Sequence, residues 1–243
     1  MNPIRSLLVL PLLFAATALL AQPQSRPQAV DNYLAALAQV ERAPKPVSMA
    51  PLLTAAEVAQ DALMQIVDED RAWIETVDDE TYAALRTELR GLSLSRGYDV
   101  YAQPDGAFLR ELATRKGLDA DRAFFALYAD LWSDEHLPRY LSLGTRSVPC
   151  VRFDENVLPT LYTQWREFSQ RHPQAYSAHV RQTLADLEEA VALGTCACGD
   201  AASVERELRG FLKRFPTTPV AGQISERLIE LKSDRNLRPV HCR

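Results

Sequence analysis

The stretch DADRAFFALYADL, residues 119–131, carries the pattern that decides the fold. Phe124, Leu127, Tyr128 and Leu131 recur at intervals of three and four residues, so they share one face of an α-helix. Asp119 precedes them in the position of an N-cap residue. Large aromatic side chains on one helical face need an extensive apolar surface to pack against. We therefore expect this helix to supply the most aromatic part of a helical core.

The same spacing recurs along most of the chain. We predict helices over residues 28–43, from Thr54 to about Val67, from Asp78 or Asp79 through Leu92, from Asp105 to Gly117, from Asp119 through Leu131, and around 158–168, 176–191, 200–215 and 220–231. Only residues 147–153 resemble a strand. Nine glycines in 243 residues argue against a turn-rich β-sandwich. The predicted fold class is all-α, an irregular array of about eight to nine amphipathic helices bridged by disulfides.

The first residues have the three parts of a secretory signal peptide. Arg5 supplies a positive charge, residues 7–20 are apolar, and small residues lead up to a cleavage position at Ala21. The apolar run is too short to be a good membrane span. We expect residues 1–21 to be removed and the protein to be periplasmic or secreted, with no membrane span remaining.

Beyond the signal, the chain divides by composition at a proline-rich segment. Residues 22–52 are predicted to form an N-terminal helix followed by this linker, and residues 53–243 a helical domain. The formal net charge is −5 and no polybasic block is present, which argues against binding of nucleic acid. The share of apolar residues, 47%, is that of a globular protein.

Four cysteines follow the signal, at Cys150, Cys196, Cys198 and Cys242. An even number in an exported protein predicts two disulfides. A bond between Cys196 and Cys198 would close a very small ring, so we expect Cys150 to pair with one of them and Cys242 with the other. The alternative is a site for a soft metal completed by His241. Because structural zinc sites usually space paired cysteines by two to four residues, we predict bridges, no metal and no cofactor.

The last predicted hairpin resembles a known helical repeat. Its pattern is Glu207-Leu208, Phe211-Leu212, the stop at Phe215-Pro216, and a second helix that starts after Thr218-Pro219 and contains Leu228. Residues 204–231 thereby resemble a single tetratricopeptide-like unit of bacterial envelope proteins, with no second copy at a fixed period. The resemblance implies a surface that holds another protein.

Residues 133–156 form the longest irregular region and are predicted to be a functional loop. Candidate binding residues in and beside it are Trp132, Arg139, Tyr140, Arg146 and Arg152. Glu135 and His136 are the candidates for acid/base chemistry, because a neighbouring carboxylate favours the charged form of a histidine. His179, by contrast, is predicted to be a surface residue within a helix.

No segment matches a hydrolase, dinucleotide or phosphate-binding motif. We therefore expect a non-enzymatic module that holds or blocks another envelope or secreted protein, as a scaffold or an inhibitor does. A secreted hydrolase acting on a cell-envelope polymer is the first alternative, with Glu135 or His136 as the acid/base. A metal carrier that uses the cysteines is the second.

Overall fold

The computed structural model describes residues 25–132, 137–143, 149–153, 155–193 and 197–233. These residues form ten helices, which are α1 (Gln28–Arg42), α2 (Ala50–Met64), α3 (Trp73–Thr76), α4 (Asp79–Glu88), α5 (Gly106–Lys116), α6 (Asp119–Leu131), α7 (Val157–Arg171), α8 (Ser177–Leu193), α9 (Ala201–Arg214) and α10 (Ala221–Ser233). Six short strands accompany them, which are β1 (Ile66–Asp68), β2 (Arg71–Ala72), β3 (Leu92–Arg96), β4 (Val100–Pro104), β5 (Leu141–Leu143) and β6 (Pro149–Val151). The strands pair antiparallel as β1–β2, β3–β4 and β5–β6.

The fold is predominantly helical, as predicted, but it is not strictly all-α. β6 lies in the segment predicted to resemble a strand, whereas the β3–β4 pair occupies residues for which no strand was predicted. The predicted third helix was extended to Leu92, yet α4 ends at Glu88. Gly91 then has φ +85°, a conformation that other residues rarely adopt, and the chain turns into β3 there. Leu89 and Leu92 also fit a helical period, which explains the error.

The start of α2 also differs from the prediction. Thr54 was predicted as its N-cap, but the helix begins at Ala50 and holds Pro51 in its first turn. A proline is tolerated in that position because the first backbone N–H groups of a helix have no intrahelical acceptor. At the other end α2 stops at Met64, because the following residues enter the β1–β2 pair.

The predicted stripe of α6 is buried at Phe124 and Leu131 and partly buried between them. Phe124 is fully buried and stacks on Tyr176 with the ring centroids 3.7 Å apart. Its edge contacts are Phe125 at 5.2 Å and Trp165 at 5.7 Å. These rings join α6 to α7 and to the turn before α8. Burial of several large side chains in this one cluster is the main apolar stabilisation of the contact between these elements.

Asp121, and not Asp119, organises the start of α6. Its carboxylate accepts hydrogen bonds from Leu118 N at 2.7 Å, Met49 N at 3.1 Å and Tyr176 Oη at 2.5 Å. Only 2% of the residue is exposed. The N-terminal ends of α2 and α6 and the turn before α8 are thus held by one buried side chain, because each donor would otherwise be left without a partner.

The last helix, α10, packs on the two helices before it. α10 contacts both α8 and α9, and the buried Arg227 donates to Val191 O at 2.9 Å. The guanidinium group also lies over the ring of Phe153, 5.1 Å from its centroid. The tetratricopeptide-like character of this hairpin stays a prediction.

A disulfide joins Cys150 in β6 to Cys198 before α9. This is one of the pairings predicted from the sequence, whereas Cys196 and Cys242 lie outside the described residues. Cys198 N also donates to Val151 O at 2.9 Å, so the two segments run side by side at the bridge. Within the described ranges no helix has the length and apolar character that crossing a membrane requires. The predicted signal peptide falls among residues 1–24, which are not described.

Candidate binding cleft

A cleft of about 700 Å³ opens where α2, β4, α6, α7 and α8 meet. Volumes between about 300 and 1,000 Å³ are typical of sites for small molecules and cofactors. Its lining residues are Glu57, Gln60, Asp61, Met64, Tyr101, Ala102, Gln103, Pro104, Tyr128, Leu131, Trp132, Pro138, Tyr140, Trp165, His179, Gln182, Thr183 and Asp186. Five aromatic rings and three carboxylates are among them.

The aromatic part of the lining is built from α6 and α7. Tyr128 lies in the last turn of α6 and Trp132 directly follows that helix, and their ring centroids are 6.5 Å apart. Trp165 of α7 is fully buried and packs edge-on against Phe124. Tyr140 and Tyr101 complete the set of rings. This surface suits apolar stems and the flat faces of planar groups.

The charged part of the lining comes from α2 and α8. Glu57 and Asp61 are four residues apart on α2 and therefore lie on one face of that helix. Asp186 lies on α8, where it accepts a hydrogen bond from Gln182 at 2.7 Å. The lining contains no lysine and no arginine among the described residues. The cleft therefore presents negative charge beside aromatic rings.

Two phenols respond to this charge. Burial raises the pKa of Tyr140 to about 12, and the carboxylates of Asp186 and Glu189 favour its neutral form further. The pKa of Tyr128 is also raised, first by burial and then by the charge of Glu57. Both hydroxyl groups are therefore neutral at physiological pH and can donate hydrogen bonds.

One histidine stands among the acids. His179 Nε2 lies 2.5 Å from Glu57 Oε1, which joins α8 to α2 across the cleft. The imidazole ring packs on Phe124, with the centroids 5.9 Å apart. A histidine held by a carboxylate in this way is oriented and can exchange protons with a ligand. The prediction that His179 is only a surface residue of a helix missed this contact.

Of the candidate residues in the loop predicted to be functional, some line the cleft and others form ion pairs within the protein. Trp132 and Tyr140 line the cleft, as a binding role requires. Arg139 instead pairs with Asp130 at 2.7 Å, and Arg152 pairs with Glu155. These two guanidinium groups therefore meet carboxylates of the protein itself. Glu135, His136 and Arg146 lie outside the described residues.

Several cleft residues were missed because they come from distant parts of the chain. Glu57 and His179 are 122 residues apart, and each belongs to an unremarkable amphipathic helix. The only local signal is the helical spacing within each element, such as the four residues between Glu57 and Asp61. That spacing predicts which residues share a face of the helix. It does not predict which other element packs against that face.

The described residues hold no group of three or more histidine, cysteine, aspartate or glutamate side chains arranged to bind a metal ion. In the predicted metal alternative Cys198 is a thiolate ligand, but here its sulfur is bonded to Cys150. The other members of that ligand set, Cys196, His241 and Cys242, lie outside the described residues.

Comparison with known proteins gives no further guidance. No family model matches the chain, and no curated protein or solved structure matches it.

Proposed function

We propose that this is an exported binding protein that holds a segment of another protein in the cleft. The observation that carries the proposal is the cleft itself, a cavity of about 700 Å³ with aromatic rings and a few polar groups in its lining. Concave sites of this size and composition are the usual places where proteins take up ligands. The proposal keeps the non-enzymatic role predicted from the sequence and gives it a location.

Contacts within the protein already fix the surroundings of the cleft. Asp121 ties the starts of α2 and α6 to the turn before α8, and Glu57 bonds to His179 between α2 and α8. A site formed before the ligand arrives loses less conformational entropy on binding. This favours a binding role over a purely structural one. A rigid, open cleft serves no purpose in a protein whose role is only structural.

Export is supported by the disulfide. Bridges such as Cys150–Cys198 form and persist in the periplasm and outside the cell, and they are rare in reducing compartments. An envelope or secreted protein is accordingly the class of partner that we propose.

Site-specific photocrosslinking tests the proposal. The photoreactive residue p-benzoylphenylalanine would replace Tyr140 in the cleft or, as the control, Tyr98, which is 98% exposed in the β3–β4 turn. Mature protein would be produced in the periplasm and irradiated there. We expect a discrete adduct of defined mass from position 140 and none from position 98. Equal adducts from both positions, or none from position 140, would contradict a binding role for the cleft.

One observation favours a second candidate, the hydrolase that acts on a cell-envelope polymer. The 2.5 Å contact between His179 and Glu57 resembles the base–orienter pair that hydrolytic sites require. In this case purified cell-wall material would release soluble fragments, and Glu57→Gln would slow that release at least about tenfold without a change of fold. The binding proposal predicts no release by either protein.

A further inference from the structure

The chemistry of the cleft also indicates which part of a partner enters it. We propose that the cleft takes up the lysine or arginine side chains of an extended, basic segment of the partner protein. This inference rests on the proposed binding function and adds the chemical class of the ligand.

The charges of the lining complement those of a basic ligand. Glu57, Asp61 and Asp186 contribute three carboxylates, and the one basic side chain in the described lining is His179, whose Nε2 already contacts Glu57. Within the described residues neither Asp61 nor Asp186 forms a salt bridge, and Asp186 accepts a hydrogen bond from the amide of Gln182. A cationic group that enters the cleft can therefore pair with these two carboxylates without displacing a cation of the protein.

An aromatic surface shares the cleft with those acids. Tyr128, Trp132 and Tyr140 lie in the same lining as Asp186 and Glu57. Ammonium and guanidinium groups are attracted to the faces of such rings, and the aliphatic stems of lysine and arginine pack on them. A purely acidic patch would bind any cation, whereas rings next to acids select organic cations that carry an apolar stem.

The size of the cleft favours a peptide segment over a single small cation. A cavity of about 700 Å³ exceeds what one side chain fills, so the ligand brings further atoms with it. The lining also holds the side-chain amides of Gln60 and Gln182, and amide side chains can both donate to and accept from a peptide backbone. A peptide segment with a basic side chain satisfies the carboxylates, the rings and the amides together.

Fluorescence anisotropy with defined peptides tests this inference. The probes are fluorescein-labelled hexa-arginine and hexa-lysine, with hexa-glutamate and a neutral glycine–serine hexamer as references. We expect the two basic peptides to bind and the other two not to bind. Raising the ionic strength from about 50 mM to about 200 mM should weaken the basic peptides several-fold, because the Debye length shortens.

A matched pair of variants separates the cleft from the general acidity of the protein. Asp61→Asn combined with Asp186→Asn removes two charges from the cleft, and Glu80→Gln combined with Glu226→Gln removes two exposed charges outside it. We expect the dissociation constant for hexa-arginine to rise about tenfold in the first variant and less than about twofold in the second. Circular dichroism of both variants checks the fold.

Three results would overturn the inference. These are binding of hexa-glutamate as tight as that of hexa-arginine, equal losses in the two variants, and displacement of hexa-arginine by equimolar agmatine, which would point to a free organic amine instead of a peptide. Failure here leaves the proposed function standing if position 140 still crosslinks to a partner. Both fail together only if the crosslink is absent as well.

Discussion

Two regions of the molecule hold their segments together in different ways. Around Asp121, three loop or turn segments meet on one buried carboxylate through hydrogen bonds. Around Cys150 and Cys198, two segments meet through a covalent bond and a backbone hydrogen bond. The first device depends on complete burial and on three donors, whereas the second depends on the redox state of the surroundings.

The two devices support different parts of the cleft. Asp121 fixes the starts of α2 and α6 and the turn before α8, and all three helices contribute lining residues. The disulfide fixes β6, which pairs with β5 directly after Tyr140. We infer that loss of the first would disturb several walls of the cleft at once, and loss of the second mainly the region of Tyr140.

Removal of the disulfide should have the largest effect on stability. Replacing both Cys150 and Cys198 by alanine frees a loop that spans 48 residues, and the entropy of closing such a loop corresponds to about 4 kcal/mol. We expect the free energy of unfolding, measured by urea denaturation, to fall by roughly that amount. The helix content measured by circular dichroism at low urea should stay the same. An unchanged midpoint would mean that the bridge contributes nothing to stability.

Asp121→Ala should follow closely. It leaves Met49 N and Tyr176 Oη in the interior, and the partly buried Leu118 N, without an acceptor, at a cost of about 3 kcal/mol. The control is Asp119→Ala two residues earlier, whose carboxylate is 85% exposed and contacts Arg122 at 3.4 Å. We expect that change to cost less than about 0.5 kcal/mol in the same urea titration. Similar losses in the two variants would contradict the role given to Asp121.

Tyr176→Phe isolates one of those three hydrogen bonds. It removes the hydroxyl that donates to Asp121 but keeps the ring that stacks on Phe124. The expected loss is about 1 kcal/mol, because the carboxylate retains its two backbone donors. A loss as large as that of Asp121→Ala would show that Tyr176, and not the carboxylate, organises the region.

The Glu57–His179 contact should have the smallest effect of the four. Its side chains are 39% and 28% exposed, so solvent screens the pair. A double-mutant cycle with Glu57→Gln and His179→Ala should give a coupling of about 0.5 kcal/mol. A coupling of zero would mean that this contact does not link α2 to α8.

The sequence predicts local features well where one residue decides them. Asp105 and Asp200 cap α5 and α9 as their positions suggest, since each accepts from the backbone N–H three residues on. The same reasoning chose Asp119 for α6, but there the carboxylate of Asp121 accepts from Leu118 N instead. Asp121 was missed because two of its donors, Met49 and Tyr176, are distant in sequence.

Residues that meet from distant parts of the chain were also missed in the cleft, and in larger number. Trp132 and Tyr140 were candidates because they flank an irregular region, and both line the cleft. Glu57, Asp61 and His179 could not be predicted, because the periodicity of α2 and α8 gives their apolar faces and not the packing of one helix on another. The bond between Cys150 and Cys198 was predictable only to within a choice of two partners for Cys150.

The most direct test of the cleft uses the three tryptophans as reporters. Trp132 and Trp165 line it, whereas Trp73 is buried in α3 and does not. The indole N–H resonances of ¹⁵N-labelled protein would be followed while hexa-arginine is added. We expect the Trp132 and Trp165 signals to shift with one common dissociation constant and the Trp73 signal to stay in place. Binding that shifts all three equally, or shifts only Trp73, would contradict it.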